Sequence, residues 1–219
     1  MLNQFLSELF TGKLSRAISI LENISIESPA PAEILTMLRL IIFKPEPSFL
    51  SYQRIFNIWS KWGQPPLKQN STKLKIVLLS DFTANHFSPM IKLFSAAQGV
   101  EAEVILPGFD SIEQTALDPS SKIYECQPDF IALIFSEYWL KKYIGKTSLV
   151  NKEDLEEAQD ALSNLISAIK SNSSASILVG NQPNRTFALP AGNVSLEKVI
   201  GSNIAINKFN YWLGDITER

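Results

Sequence analysis

The sequence predicts an α/β fold, a doubly wound parallel sheet preceded by an all-helical N-terminal segment. Up to Trp62, apolar residues recur only at helical spacing. From Lys73 onward, short β-branched runs alternate with amphipathic helical stretches, and each run ends at polar or turn-forming residues. Strands that alternate with helices favour a parallel sheet with helices on both faces.

The N-terminal segment contains stretches whose apolar residues lie on one helical face. These stretches are Leu2–Phe10, Leu14–Leu21, Ala32–Phe43 and Phe49–Trp59. The run 63–72 contains Gly63, Pro65 and Pro66 and is typical of a linker. We therefore expect a helical segment at 1–63 and an α/β domain at 73–219. The sequence leaves open whether this domain is truncated at its C-terminus.

The second part of the chain contains short apolar runs that are typical of buried parallel strands. These runs are Lys75–Leu79, Ala102–Leu106, Phe130–Phe135 and Ser176–Val179. Between and after them, helices are predicted at Ser88–Gln98, at Lys152–Lys170, and from about Ser195 into the C-terminus. Gly99 is the expected stop of the first of these helices.

Polar and turn-forming residues follow each predicted strand. Open parallel sheets bind ligands beyond the carboxyl ends of their strands, so we expect these residues to gather at one rim. The predicted ligand-binding residues are Asp81, Gly108, Ser136 and Asn181. Thr83 and His86, which follow the first strand, are the candidate catalytic residues.

Each of these residues also has a structural interpretation. Thr83 could cap the helix that follows it, and Asp81 could hold its turn or the first helix terminus. His86 could be a partly exposed residue at the junction of a loop and a helix. Gly108 could permit a tight turn, and Asn181 could cap or bridge loops. The sequence leaves these alternatives open.

Composition excludes several classes of function. The formal net charge is −2, so no global charge favours nucleic acid or an anionic membrane as a partner. The chain has one cysteine, Cys126, and one histidine, His86, which argues against a disulfide and against a metal site. No apolar run is long enough to span a bilayer, and the start lacks the pattern of a signal peptide. We expect a cytoplasmic protein without a cofactor; its oligomeric state is unknown.

Two segments of the sequence carry a resemblance to a known family. The first is Lys75–Thr83, a strand that runs into a polar turn. The second is Leu117–Tyr124, with its Asp-Pro-Ser-Ser start, followed by Pro128-Asp129-Phe130 at the entry of the next strand. Together they resemble the N-terminal region of the FkbH-like proteins, which belong to the subfamily IIIC haloacid dehalogenase group. Asn181 and the helix at Ile206–Asn210 are weaker matches.

The resemblance implies a fold and a biological setting. In that family this region is similar to an SGNH hydrolase and precedes a phosphatase-like catalytic domain. The whole protein primes an acyl carrier protein with a glyceryl unit from a phosphoglycerate. The implied partners are therefore a carrier protein or a small acyl or phosphoglycerate-derived substrate. The Asp-x-Asp-x-Thr/Val motif of the catalytic domain does not occur in this sequence. The resemblance thus places the main chemistry outside these residues.

The sequence departs from a working SGNH hydrolase at two points. Phe82 stands where the serine nucleophile is expected, and no Asp-x-x-His occurs near the C-terminus. Gly108 and Asn181 match the positions of the oxyanion donors. Whether the chain is an enzyme therefore stays open. A stand-alone esterase or deacylase acting through Thr83 and His86 is one alternative, and a non-catalytic interaction module is another.

Overall fold

The computed structural model describes residues 1–24, 32–44, 48–68, 71–108, 111–145, 149–182 and 195–217. The chain forms two compact units. The helical unit contains Met1–Leu74 and Asn85–Val104, and the sheet unit contains Lys75–Ala84 and Ile105–Arg219. The domain division predicted at 1–63 and 73–219 stays a prediction.

The helical unit consists mainly of five helices. They are α1 (Leu2–Phe10), α2 (Leu14–Glu22), α3 (Ala32–Ile42), α4 (Phe49–Lys61) and α5 (Phe87–Gln98). Each buries the apolar stripe that its periodicity predicts, and the shared core includes Phe5, Ile18, Met37, Ile55 and Leu93. α5 ends at Gly99, as predicted, because the residue adopts a left-handed conformation with φ +87°.

The sheet contains four strands, with bounds close to those predicted. They are β1 (Thr72–Ser80), β2 (Val100–Ile105), β3 (Phe130–Ile134) and, after the short strand β4 (Leu149–Asn151), β5 (Ser176–Val179). Their order is β2-β1-β3-β5, and β3 pairs in parallel with both β1 and β5. The α/β fold with a four-stranded parallel sheet and N-terminal helices is confirmed.

The sheet register determines which side chains form the core of the sheet unit. Val77, Ile131 and Ile177 stand level on neighbouring strands, and Leu79, Leu133 and Val179 stand level two residues further on. All six lie on one face, because alternate residues of a strand point the same way. The helices that contribute to this core are α6 (Ile112–Leu117), α7 (Lys122–Glu125), α8 (Glu137–Ile144), α9 (Lys152–Asn172) and α10 (Ser202–Thr217).

The start of the last helix was predicted wrongly. A helix was expected from about Ser195, but α10 begins at Ser202. Val199–Gly201 instead forms a strand, β6, that pairs antiparallel with β4, and Ser195 bridges Ile200. These pairings satisfy backbone groups that a helix would have satisfied internally, so the helix starts only after the strand.

α9 is the longest helix in the described residues, with 21 residues. It buries Leu155, Leu162 and Leu165 and carries charged residues on its exposed side. Across the ranges that the structure describes, no helix combines the length and apolar composition needed to cross a membrane.

An ion pair links α2 to α4 within the helical unit. The Arg54 guanidinium donates from Nε to Glu22 Oε1 at 2.9 Å and from Nη2 to Oε2 at 2.7 Å. It also donates to Ser19 Oγ at 3.2 Å. The hydrogen bonds from Arg54 hold the pKa of the Glu22 carboxyl below its ordinary value. The bidentate geometry makes this pair stronger than an ordinary surface ion pair.

We expect Glu22→Gln to lower the free energy of unfolding by about 1 kcal/mol at neutral pH. Since folding lowers the pKa of Glu22, its carboxylate stabilises the protein above its unfolded pKa. That stabilisation is lost as the pH falls below about 4. The difference between wild type and variant in urea unfolding should therefore shrink on acidification.

Glu101→Gln is the matched control. Lys73 and Glu101 are 3.7 Å apart, with side chains 82% and 62% exposed, so this substitution should change stability by less than about 0.5 kcal/mol. If Glu22→Gln lowered the free energy of unfolding by the same amount at every pH, this would contradict the explanation by an ion pair.

Candidate functional site

The ends of β1 and β3 meet through Asp81 and Ser136. The backbone N–H of Ser136 donates to Asp81 Oδ1 at 2.6 Å, and the Ser136 hydroxyl donates to Asp81 Oδ2 at 2.7 Å. Ser136 also caps α8, because its Oγ accepts from the Tyr138 N–H at 3.1 Å. Two of the predicted rim residues are therefore in direct contact.

The position of Asp81 has a physical explanation. The start of a helix presents unpaired N–H groups and a partial positive charge, which a carboxylate neutralises. Asp81 thus holds a helix terminus, as its structural interpretation allowed, but the helix is α8 and not the helix after β1. Two of the roughly four lone-pair positions of its carboxylate are used within the chain. The others can accept hydrogen bonds from a hydroxyl or amide of a ligand.

The residues after β5 continue along the same rim. Gly180 N–H donates to Leu133 O at 2.9 Å, which extends the pairing of β5 with β3 by one residue. Asn181 is exposed, and within the described ranges its side chain makes no hydrogen bond. The alternative that Asn181 bridges loops is therefore not supported by any contact in these ranges.

Gly108 lies three residues beyond the end of β2. Its φ of +151° is a conformation that residues with a side chain rarely adopt, and its carbonyl accepts from Ser111 Oγ at 3.3 Å. This backbone conformation explains why a glycine occupies the position, and the interpretation as a tight turn stays open. Its predicted role in ligand binding stays a prediction.

The candidate catalytic residues belong to different units. Thr83 is exposed in the sheet unit, and His86 is exposed in the helical unit. The interpretation of Thr83 as a helix cap is wrong, since α5 begins at Phe87 with His86 in the cap position. The His86 ring lies 5.6 Å from the Phe49 ring and 4.5 Å from the Phe87 ring, so aromatic packing accounts for its place. A catalytic pair of Thr83 and His86 stays a prediction.

The Asp-Pro-Ser-Ser segment forms a hydrogen-bonded turn between α6 and α7. Asp118 Oδ1 accepts from the Ser120 N–H at 2.9 Å and from the Ser120 hydroxyl at 2.7 Å, and these bonds lower the pKa of Asp118. The Tyr124 hydroxyl donates to Ala116 O at 2.5 Å. Burial, and to a lesser extent the Asp118 charge, raise the pKa of Tyr124. The polar residues of this segment therefore organise a loop, as expected.

The two segments that carry the family resemblance contact each other. Lys75 N–H donates to Asp129 Oδ2 at 2.7 Å, and Asp129 N–H donates to Lys75 O at 2.9 Å. The Lys75 ammonium also donates to Cys126 O at 3.1 Å. These bonds align Lys75, in the first half of β1, with the start of β3, next to the first pair of the parallel register, Ile76 and Phe130.

Gln182 is a candidate site residue that the sequence did not single out. Its side chain is almost fully buried, and among the described residues neither of its amide atoms has a hydrogen-bond partner. The buried Trp139 indole N–H, in the first turn of α8, also has no partner in the part of the chain that the structure describes. The alternation of side chains along a strand predicts that Asn181 and Gln182 face opposite sides of the sheet. It does not predict which of the two side chains is buried.

Groups that could ligate a metal do not cluster in the described parts of the chain, where no three His, Cys, Asp or Glu side chains gather suitably. Cys126 is half-buried, and its thiol donates to Ile123 O at 3.2 Å. The described rim offers hydrogen-bond donors and acceptors, which suit binding of a polar organic ligand.

Comparison with known proteins gives a match at the level of fold. No protein-family model matches the chain, and no curated protein sequence matches it. A similar solved structure is the crystal structure of the N-terminal part of the protein BF1531 from Bacteroides fragilis, containing a phosphatase domain and complexed with Mg. The TM-score is 0.58 at 18% identity, over 79% of this chain and 43% of that chain. This chain therefore spans less than half of that structure.

We expect Asp81→Ala to lower the free energy of unfolding by about 2 kcal/mol, because two charge-assisted bonds to the start of α8 are lost. Thr83→Ala is the matched control, since this exposed residue should contribute less than about 0.5 kcal/mol. Chemical denaturation of each variant measures the difference.

Ser136→Ala and the double variant Asp81→Ala/Ser136→Ala test whether the loss of stability comes from the contact between these two residues. If Asp81 acts through Ser136, the two losses should be non-additive by more than about 0.5 kcal/mol. Additive losses would mean that the two side chains stabilise the fold independently.

Proposed function

We propose that this chain is the non-phosphatase N-terminal portion of an FkbH-like biosynthetic protein. In this role its rim assists transfer of an acyl or glyceryl group to a carrier protein, or docks the carrier itself. The fold likeness to the N-terminal part of a protein that contains a phosphatase domain supports this proposal. The family-like segments, whose polar residues organise the sheet and its loops, support it independently.

The observation that carries the proposal is the Asp81–Ser136 contact at the carboxyl ends of adjacent parallel strands. Ligands of such sheets bind at these ends. The Asp81 carboxylate retains acceptor positions, and a glyceryl unit carries hydroxyl groups that can donate to them. Tyr138, the second residue of α8, follows close after Ser136 and is 69% exposed.

The residue after Asp81 favours a ligand-binding role for this rim over a hydrolytic one. Phe82 offers no hydroxyl or thiol for attack on a carbonyl. The Ser136 hydroxyl donates its proton to Asp81 and accepts from Tyr138, so it is committed to the fold. In the proposed protein, bond making and breaking belong to the phosphatase-like domain.

A second candidate function is an interaction module that uses the helical unit. Phe49 and Leu50, at the start of α4, are 52% and 68% exposed, and Phe94 on α5 is 37% exposed. The Tyr52 and Phe94 rings lie 4.8 Å apart and connect the two helices. An exposed apolar set of this kind is a common feature of protein-binding surfaces.

Titration of the purified chain with holo- and glyceryl-loaded acyl carrier protein from the same organism tests both functions. We expect Asp81→Asn to weaken binding about tenfold, which corresponds to about 1.4 kcal/mol, because the carboxylate charge is lost while the side-chain size is kept. Leu50→Ser, on the helical unit, is the control and should bind like wild type.

The opposite pattern, with loss only in Leu50→Ser, would favour the interaction module. Absence of carrier binding by the wild-type chain and by its full-length native protein would reject the carrier proposal. The stand-alone esterase would instead be favoured if the wild-type chain hydrolysed activated short-chain esters and both Thr83→Ala and His86→Ala abolished that activity.

A further inference from the structure

The outer edge of β5 presents backbone groups that no described residue binds. β5 is the last strand in the sheet order β2-β1-β3-β5, and it pairs with β3. Ser176 N–H donates to Asp129 O at 2.9 Å, so the backbone groups of Ser176 point toward β3. Because this direction alternates from one residue to the next, the N–H and C=O groups of Ile177 and Val179 point away from β3. A row of unpaired groups like these is a template for pairing with a further strand.

The two edges of the sheet differ in charge. β2, at the opposite edge, carries the exposed side chains of Glu101 and Glu103. Charged side chains on an edge strand discourage pairing with another chain, and so does proline. β5 and its flanks, residues 171–182, contain neither a charged residue nor a proline. The sequence therefore protects the β2 edge against strand pairing and does not protect the β5 edge.

Leu178 is the exposed apolar side chain of this strand. Ile177 and Val179 pack against the core of the sheet unit, so Leu178 points to the opposite face, where it is 52% exposed. Ala132, which is level with Leu178 on β3, offers only a methyl group to cover it. Parallel sheets are usually covered on both faces, so a partner would normally pack at this place.

We propose that β5 pairs antiparallel with β5 of a second copy of this chain, across a two-fold axis at Leu178. In this register Ile177 of each copy lies opposite Val179 of the other. The two residues exchange both N–H···O=C bonds, as a hydrogen-bonded pair of an antiparallel ladder does. The symmetry repeats the exchange at the other end, so every outward-pointing backbone group of Ile177 and Val179 gains a partner.

A second copy fits this edge because the edge is complementary to itself. The outward-pointing groups are arranged symmetrically about Leu178, as an isologous interface requires. The two Leu178 residues form a non-hydrogen-bonded pair with their Cα atoms about 4.5 Å apart, so each side chain covers the other. This pairing brings residues 174–182 of the two copies opposite each other, and none of them is charged, so no like charges meet across the axis. The two four-stranded sheets then join into one sheet of eight strands.

Sedimentation of the purified chain over a concentration range of about a hundredfold tests this assembly. We expect a monomer–dimer equilibrium in wild type. Leu178→Lys should raise the dimer dissociation constant about tenfold or more, because two ammonium groups would face each other across the axis. Leu117→Lys is the matched control, since Leu117 is 53% exposed on α6, and it should dimerise like wild type.

Amide hydrogen exchange of the wild-type chain locates the interface without any substitution. The N–H groups of Ile177 and Val179 should exchange slowly at the high end of the concentration range and quickly at the low end. The N–H of Gly180 donates to Leu133 O within the chain, so its exchange should not depend on concentration in this way. Gly180 therefore serves as the internal control for the fold of β5.

Three results would overturn the proposal. The first is a chain that stays monomeric over the whole range with fast exchange at Ile177 and Val179. The second is a monomer in which these two amides exchange slowly, because the edge would then be covered from within the same chain. The third is a dimer that Leu178→Lys retains in full, which would place the interface elsewhere. Carrier binding is not part of this test, so its outcome and that of the proposed function are independent.

Discussion

The contact between the Asp81 carboxylate and the start of α8 determines the geometry of the sheet end. It joins the residue after β1 to the N-cap of α8 beyond β3, so hydrogen bonds connect two neighbouring strand ends and one helix terminus. Because Ser136 simultaneously caps α8, the orientation of that helix depends on the same pair. The position of Trp139, the third residue of α8, follows from it.

The polar residues that resemble the FkbH-like family serve mainly to build the fold. Asp118 and Ser120 close a turn, Tyr124 ties that turn to α6, and Asp129 aligns β3 with β1. A sequence signature made of such residues identifies an architecture and not a reaction. Function must therefore be argued from the rim itself, since one fold can support unrelated activities.

Much of the fold follows from local patterns in the sequence. The helices of the helical unit and the strands of the parallel sheet were predictable, because amphipathic stripes and short buried runs are local signals. β4 and β6 were not, since strands of three residues are stable only through their mutual pairing. The site was predictable in outline only. The inward turn of Gln182 depends on Asn210, 28 residues away, and the Asp81–Ser136 contact spans 55 residues.

The assignment of α5 to the helical unit has a consequence for biosynthesis. The chain leaves this unit after Leu74 and returns at Asn85, so Leu93 and Ala97 complete its core from beyond β1. During synthesis, α1–α4 leave the ribosome before α5, so the apolar residues that pack against α5 are still exposed to solvent. These residues become buried only when the segment up to Gln98 has left the exit tunnel. A chaperone that binds nascent chains should therefore engage this protein during that interval.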